Sequence, residues 1–193
     1  MRTTHLLYLH GFRSSPQSTK ARQMAAWLGV HRPDVLWHCP QLSPSPAKAM
    51  KSVLAHTASW PRESMAVVGS SLGGFYATWV AEQCRCPAVL LNPAIDPARD
   101  LGKYIGEITA WHNDERIHFR AEFIDELRAL VPAGLTHPER YLAVIAKGDE
   151  VLDWREMSAR YVGCRIRLLE GSDHALSDFD DQLPEVLRFL GLI

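Results

Sequence analysis

Met65-Ala66-Val67-Val68-Gly69-Ser70-Ser71-Leu72-Gly73-Gly74-Phe75-Tyr76-Ala77-Thr78-Trp79-Val80-Ala81 is the stretch on which the reading of this chain turns. An apolar run enters Gly69-Ser70-Ser71-Leu72-Gly73, and a helix-forming run leaves it. That is G-x-S-x-G set as strand, turn and helix, the context in which the motif has mechanical meaning. The turn must be sharp enough to push Ser71 up at the strand end in a strained backbone conformation. Gly69 and Gly73 supply the room for the crowding on either side. Ser71 then stands at a helix N-terminus, where free N–H groups favour developing negative charge. A serine so placed points to acyl transfer. The competing reading is an ordinary tight turn or a phosphate-cradling loop.

The surrounding pattern alternates apolar β-rich runs with helical ones, which predicts a parallel α/β sheet. Strands are expected at His5–Leu9, Val35–Cys39, Met65–Gly69, Ala88–Leu91, Tyr141–Ala146 and Arg165–Leu169. Helices are expected over about 19–28 (ended by Gly29), 47–60, 72–83, 121–130, 154–161 and 183–190. If the first strand lies beside the third, with the second outside it, the sheet order is 2-1-3-4-5-6. The fold expected is therefore a doubly wound, mainly parallel six-stranded sheet with helices on both faces. The crevice where the order reverses lies between the loops that carry Phe12 and Ser71.

Residues 93–140 break the rhythm, with no convincing strand over 48 positions. They hold Trp111-His112-Asn113-Asp114 and a helical face of Phe123, Ile124, Leu127 and Leu130. This is too long for a plain connection. A small helical cap insertion over about 96–138, inside a single domain spanning 1–193, accounts for it; the alternative is a long crossover with one extra packed helix.

Composition narrows the class. With 47% hydrophobic and 22% charged residues the chain reads as a soluble globular protein. A net charge of −1 gives no electrostatic reason for a nucleic-acid partner or an anionic membrane surface. No apolar run is long enough to insert across a bilayer, and the start of the chain lacks the form of a secretory signal, so cytoplasmic residence is expected. Cys39, Cys84, Cys86 and Cys164 match no zinc spacing and read as free thiols.

A serine nucleophile needs a base. In doubly wound hydrolases the order along the chain is Ser, then Asp or Glu, then His, each after a successive strand. Here the fifth strand runs into Lys147-Gly148-Asp149-Glu150-Val151 and the sixth into Glu170-Gly171-Ser172-Asp173-His174. His174 is the expected base and Asp149 the expected acid. Glu150 and Asp153 compete with Asp149, and Asp96, after the fourth strand, is the outsider; Asp153 also resembles the N-cap of the helix that follows. Two backbone N–H groups, of Leu72 and Phe12, are expected to form an oxyanion hole, with His10-Gly11 shaping the turn that presents Phe12. Phe12→Ala is accordingly expected to be milder than Ser71→Ala. His10 itself reads as a packing and turn residue. A histidine base must be neutral to act, so activity is expected to fall as pH drops through roughly 6–7. Pocket shape rests on the cap and on aromatic residues such as Phe75, Tyr76, Trp79 and Trp111, which are more often core than pocket.

These segments together resemble the α/β-hydrolase superfamily, and more closely the small bacterial esterases of the YqiA type, the UPF0227 group. Tyr8-Leu9-His10-Gly11-Phe12, Gly69–Ala77, Leu91-Asn92-Pro93-Ala94, Gly148–Asp153 and Gly171-Ser172-Asp173-His174 carry the resemblance. It implies a triad of Ser71, Asp149 and His174, and hydrolysis of carboxylic esters or acyl thioesters without metal or organic cofactor. The implied partner is a small acyl ester or an acyl-CoA-like substrate. It also implies that the superfamily's usual first two edge strands are absent. Transfer of the acyl group to an acceptor other than water, or binding of an acyl ligand or partner without catalysis, are the alternatives.

Overall fold

In the computed structural model the strand–helix alternation closes into one six-stranded sheet; the structure describes residues 2–109 and 116–193. In chain order the elements are β1 (His5–Leu9), α1 (Thr19–His31), β2 (Leu36–His38), α2 (Pro46–His56), β3 (Met65–Ser70), α3 (Leu72–Cys84), β4 (Ala88–Leu91) and α4 (Pro97–Leu101). There follow β5 (Gly106–Thr109), β6 (Arg116–Phe119), α5 (Glu122–Ala129), β7 (Tyr141–Ala146), α6 (Trp154–Arg160), β8 (Arg165–Leu169) and α7 (Phe179–Phe189).

The sheet runs β2-β1-β3-β4-β7-β8, every neighbouring pair parallel. This is the expected order, since the two strands between β4 and β7 stand outside it. β3, β4 and β7 are buried along their whole length, as parallel strands covered on both faces must be. Side chains alternate between two cores. Leu7, Leu9, Met65 and Val67 face α2, α3, α5 and α6. Leu6, Tyr8, Ala66 and Val68 face α1 and α7. The edge strand β8 exposes Arg165 and Arg167, and Glu185 of α7 pairs with both, at 3.0 and 3.5 Å. Charged edges of this kind resist strand addition by another chain.

Three expectations need correction. Gly29 does not end α1, which continues to His31; nothing lies within 4 Å of where a Gly29 side chain would begin, and glycine weakens a helix by only about 1 kcal/mol. The last helix starts at Phe179 and carries Pro184 inside it. Residues between β4 and β7 are not purely helical: β5 and β6 pair antiparallel, Gly106 opposite Phe119 and Thr109 opposite Arg116. Four-residue strands with one or two apolar positions each leave too short a period to stand out from a loop. Trp111-His112-Asn113-Asp114 lies outside the described residues.

The segment is tied down on one side. Phe123, Ile124 and Leu127 of α5 enter the core. Glu126 of the same helix reaches the start of α2, accepting from the Ser45 hydroxyl at 2.7 Å and the Ala47 N–H at 3.0 Å. A carboxylate at a helix N-terminus is favoured by the unpaired N–H groups there.

Candidate active site

Ser71 sits between β3 and α3 with φ 55° and ψ −120°. That is a costly conformation for a residue with a side chain, and it is sustained by its surroundings. The Ser71 N–H donates to the Leu91 carbonyl at 2.9 Å, and its carbonyl accepts from Gly74 and Ala94 at 2.8 and 3.0 Å. The flanking glycines are sterically compulsory. A Cβ on Gly69 would stand 2.0 Å from the Gly73 carbonyl oxygen, and one on Gly73 would stand 1.9 Å from the carbonyl oxygen of Leu9. The second contact lets α3 start hard against the end of β1.

Asp149 and His174 leave the carboxyl ends of β7 and β8 at the same rim. His174 Nδ1 donates to Asp149 Oδ2 at 2.8 Å, and the Ser71 hydroxyl lies 3.0 Å from His174 Nε2. The Asp149 side chain is fully buried, while His174 keeps about a fifth of its side-chain surface open, 21%. The other Asp149 oxygen accepts from the N–H groups of Val151 and Leu152, both at 2.8 Å. With Nδ1 committed to Asp149, Nε2 carries the lone pair, and the serine hydroxyl donates to it. Such a chain moves the hydroxyl proton to the imidazole as the oxygen attacks a carbonyl, and the carboxylate stabilises the charged ring.

The competing carboxylates are occupied elsewhere. Glu150 accepts from the His174 backbone N–H at 3.0 Å, so it braces the histidine loop from behind. Asp153 caps α6 through Arg155 N–H at 2.9 Å, and Asp96 caps α4 through Arg99 N–H at 3.1 Å. Neither touches His174.

The loop after β1 closes the other side. An atom built onto Gly11 would meet Ser71 Cβ at 3.3 Å, which puts this backbone directly against the serine. His10 is buried and shapes the turn: its Nε2 accepts from Leu42 N–H at 3.1 Å, so Nδ1 carries the proton and donates to the Gly11 carbonyl at 2.9 Å. The N–H groups of Phe12 and Leu72 make no hydrogen bond among the described residues. Both residues border a cavity of about 680 Å³ that opens on Ser71 and His174. Unpaired N–H groups at a cavity wall are costly unless a ligand oxygen or water meets them. The Phe12 ring packs against Tyr104 and Phe119, centroids 5.4 and 5.3 Å apart, which anchors the loop to the segment between β4 and β7. Pro97, Leu101, Lys103 and Tyr104 of that segment also line the cavity. Phe75, Tyr76 and Trp79 do not line it; the first two are core.

One site residue carries no signal of its role in the sequence. Asn92, at the end of β4, is fully buried, and its side chain bonds the loops around it. A polar residue followed by proline at a strand end reads as a turn, and its partners lie more than fifty positions away. Among the described residues there is no group of three His, Cys, Asp or Glu side chains that could hold a metal ion, and no helix is long and apolar enough to cross a membrane.

A parallel sheet of this order, with a serine on a strained turn and a histidine and aspartate from the next strand ends, is the α/β-hydrolase fold. Solved structures agree in fold. The chain is similar to Est1E from Butyrivibrio proteoclasticus, in a ferulic-acid complex (17% identity, 97% of this chain and 87% of that one, TM-score 0.73). It is similar to the metagenome-derived lipolytic enzymes LipS and LipT (20%, 98% and 94%, TM-score 0.71). Mouse alpha/beta hydrolase domain-containing protein 10 also matches (19%, 96% and 91%, TM-score 0.65). Residues 5–191 match an uncharacterised protein family, UPF0227, and the chain belongs to it.

Proposed function

We propose that this protein is a serine hydrolase that cleaves carboxylic esters or acyl thioesters through an acyl-enzyme. The observation that carries the reading is the unbroken line from Ser71 Oγ to His174 to buried Asp149, at 3.0 and 2.8 Å, opening on a cavity large enough for a small acyl ester. His174 takes the Ser71 proton as the oxygen attacks the acyl carbonyl. The N–H groups of Leu72 and Phe12 receive the oxyanion, each worth roughly 10²–10³ in rate at comparable sites. The imidazolium then protonates the leaving alcohol or thiol. Water, deprotonated by His174, attacks the acyl-serine, and Ser71 recovers its proton. The residues between β4 and β7 act as a cap in this reading, because their side chains form one wall of the cavity.

Labelling with a fluorophosphonate probe, together with turnover of 4-nitrophenyl butyrate, tests the proposal. The wild-type chain is expected to label and turn over, and Ser71→Ala to do neither. Wild-type protein that neither labels nor turns over would overturn it in favour of ligand binding without catalysis.

A further inference from the structure

One wall of the cavity holds polar groups for which the ester-cleaving steps have no use. Tyr8, on β1, is wholly buried against the cavity wall, and its hydroxyl has no hydrogen-bond partner among the described residues. The hydroxyls of Ser18 and Ser70 are near it but out of hydrogen-bond geometry. Burial raises the phenol well above its ordinary range, so it remains a neutral O–H donor.

Beside it starts α1, thirteen residues long, with its N-terminus uncapped. Ser18 stands at the capping position, but its hydroxyl accepts no N–H from the first turn; it too is buried and unpartnered at the cavity. No acidic residue occupies that turn. The helix therefore offers free N–H groups and the positive end of its dipole. Lys20, in the same turn, lines the cavity and points its ammonium at the carbonyl of Ala175, next to His174. Among the described residues no carboxylate oxygen lies within ion-pair distance of it; Asp173 and Asp149 act from further off. Burial, the largest influence, lowers this ammonium to about 8. A desolvated ammonium, two unsatisfied hydroxyls and a bare helix N-terminus in one wall share one chemical complement, an anion.

We propose that this wall is a carboxylate subsite, so that the ester the protein cleaves carries a second, unreacting carboxylate held by Lys20, Tyr8, Ser18 and the start of α1. The assignment rests on the ester-cleavage reading of Ser71 for its place in catalysis. A carboxylate fits better than a doubly charged phosphate. One half-buried ammonium balances one charge, and Asp100 of α4, held by Arg99 at 2.8 Å, places a carboxylate on the same cavity. Arg13 and Lys103 also border it and assist entry of an anion. The Lys20–Ala175 contact sets the ammonium one residue from the base, so only a short carbon chain separates carboxylate from scissile carbonyl.

The test compares mono-4-nitrophenyl glutarate with 4-nitrophenyl valerate, and 4-(butanoyloxy)benzoate with phenyl butyrate, so that the carboxylate lies on the acyl or the alcohol side. Wild type is expected to favour the charged member of one pair about tenfold or more in kcat/KM, the scale of a hydrogen-bonded charge. Lys20→Gln is expected to erase that ratio, chiefly through KM, and Tyr8→Phe, which keeps the packed ring, to reduce it roughly threefold. Calorimetry with glutarate alone reads the subsite without turnover: binding to wild type that is lost in Lys20→Gln supports it. No preference in either pair despite hydrolysis of the neutral esters, a ratio that survives Lys20→Gln, or no glutarate binding overturns the subsite. Absence of labelling and of all turnover, with glutarate still bound, overturns the hydrolase reading instead and leaves the carboxylate site standing.

Discussion

Asn92 holds the backbone of His174 in place: its Nδ2 donates to the His174 carbonyl at 3.2 Å and to the Asp173 carbonyl at 2.9 Å. Its Oδ1 accepts from the Ala146 N–H at 2.8 Å, at the end of β7 just ahead of Asp149. One buried amide therefore fixes the histidine loop and the aspartate loop relative to each other. Its own backbone, at φ 43°, is left-handed, which asparagine tolerates better than most residues.

Asn92→Ala is expected to lower both stability and rate. It leaves the Ala146 N–H and the His174 carbonyl without partners, while the Asp173 carbonyl keeps the Leu176 N–H at 3.1 Å; the cost is about 1–3 kcal/mol for each group that water fails to reach. A shift of the histidine by about 1 Å costs on the order of 10²-fold in turnover. Thermal denaturation and 4-nitrophenyl butyrate kinetics check this. A kcat within a factor of two of wild type would show that the loop holds His174 without the amide.

Asp149→Asn separates orientation from charge. The Val151 and Leu152 N–H groups require an acceptor, so the new amide keeps its oxygen toward them and turns its NH₂ toward His174 Nδ1. Nδ1 must then accept, the ring proton moves to Nε2, and the Ser71 hydroxyl faces a donor instead of a base. A loss of about 10⁴-fold in kcat is expected, the scale set by the equivalent change in a serine protease. Fluorophosphonate labelling should slow in step, with little change in melting temperature; unaltered labelling would remove Asp149 from the mechanism.

The six sheet strands, their order and the meeting of Ser71 with His174 were legible because each depends on local signals: short apolar-rich strands, a glycine-flanked turn, and a candidate acid and base directly after strand ends. The choice among Asp149, Glu150 and Asp153 was open from sequence alone, since only loop geometry shows that Glu150 turns back to the His174 N–H while Asp153 caps α6. The β5–β6 pair went unread because Gly-Glu-Ile-Thr and Arg-Ile-His-Phe alternate too briefly, and only Phe119 is buried. The roles of Asn92 and Tyr8 were out of reach for a different reason: a buried polar atom is defined by partners, present or missing, that are distant in the chain.

Glycine positions give a paired stability prediction. Gly73→Ala forces a methyl to within 1.9 Å of the Leu9 carbonyl oxygen, a backbone atom that cannot swing away. The expected outcome is at least about 3 kcal/mol of destabilisation, at the upper end of overpacking, or failure to accumulate folded protein. Gly29→Ala meets nothing within 4 Å at an exposed position of α1 and should stabilise by about 0.4–1 kcal/mol. Urea denaturation of the two variants measures both; a well-folded Gly73→Ala would contradict the close approach of α3 to β1.

His38 and His56 stack face to face on the β2 edge, ring centroids 3.5 Å apart and 8° from parallel, with Trp60 edge-on to both and the His5 ring tilted against Trp60 at 5.1 Å. Partial burial, then the neighbouring His56, lowers His38 below its ordinary 6.5. The unfolded chain therefore takes up the proton first as pH falls, and stability falls with it. The contribution is fully present above about 6.5, the unfolded value; it is lost as pH descends to the lower folded value, and is constant below both. Denaturation midpoints measured from pH 7.5 to 5 should decline more steeply for wild type than for His38→Gln, which has no ring to protonate. At pH 7.5 the variant should be the less stable of the two, since it loses the stack with His56, and the gap should narrow as pH falls. Parallel pH profiles for the two proteins would mean that this pair holds no proton-linked strain, and that any acid lability arises elsewhere in the fold.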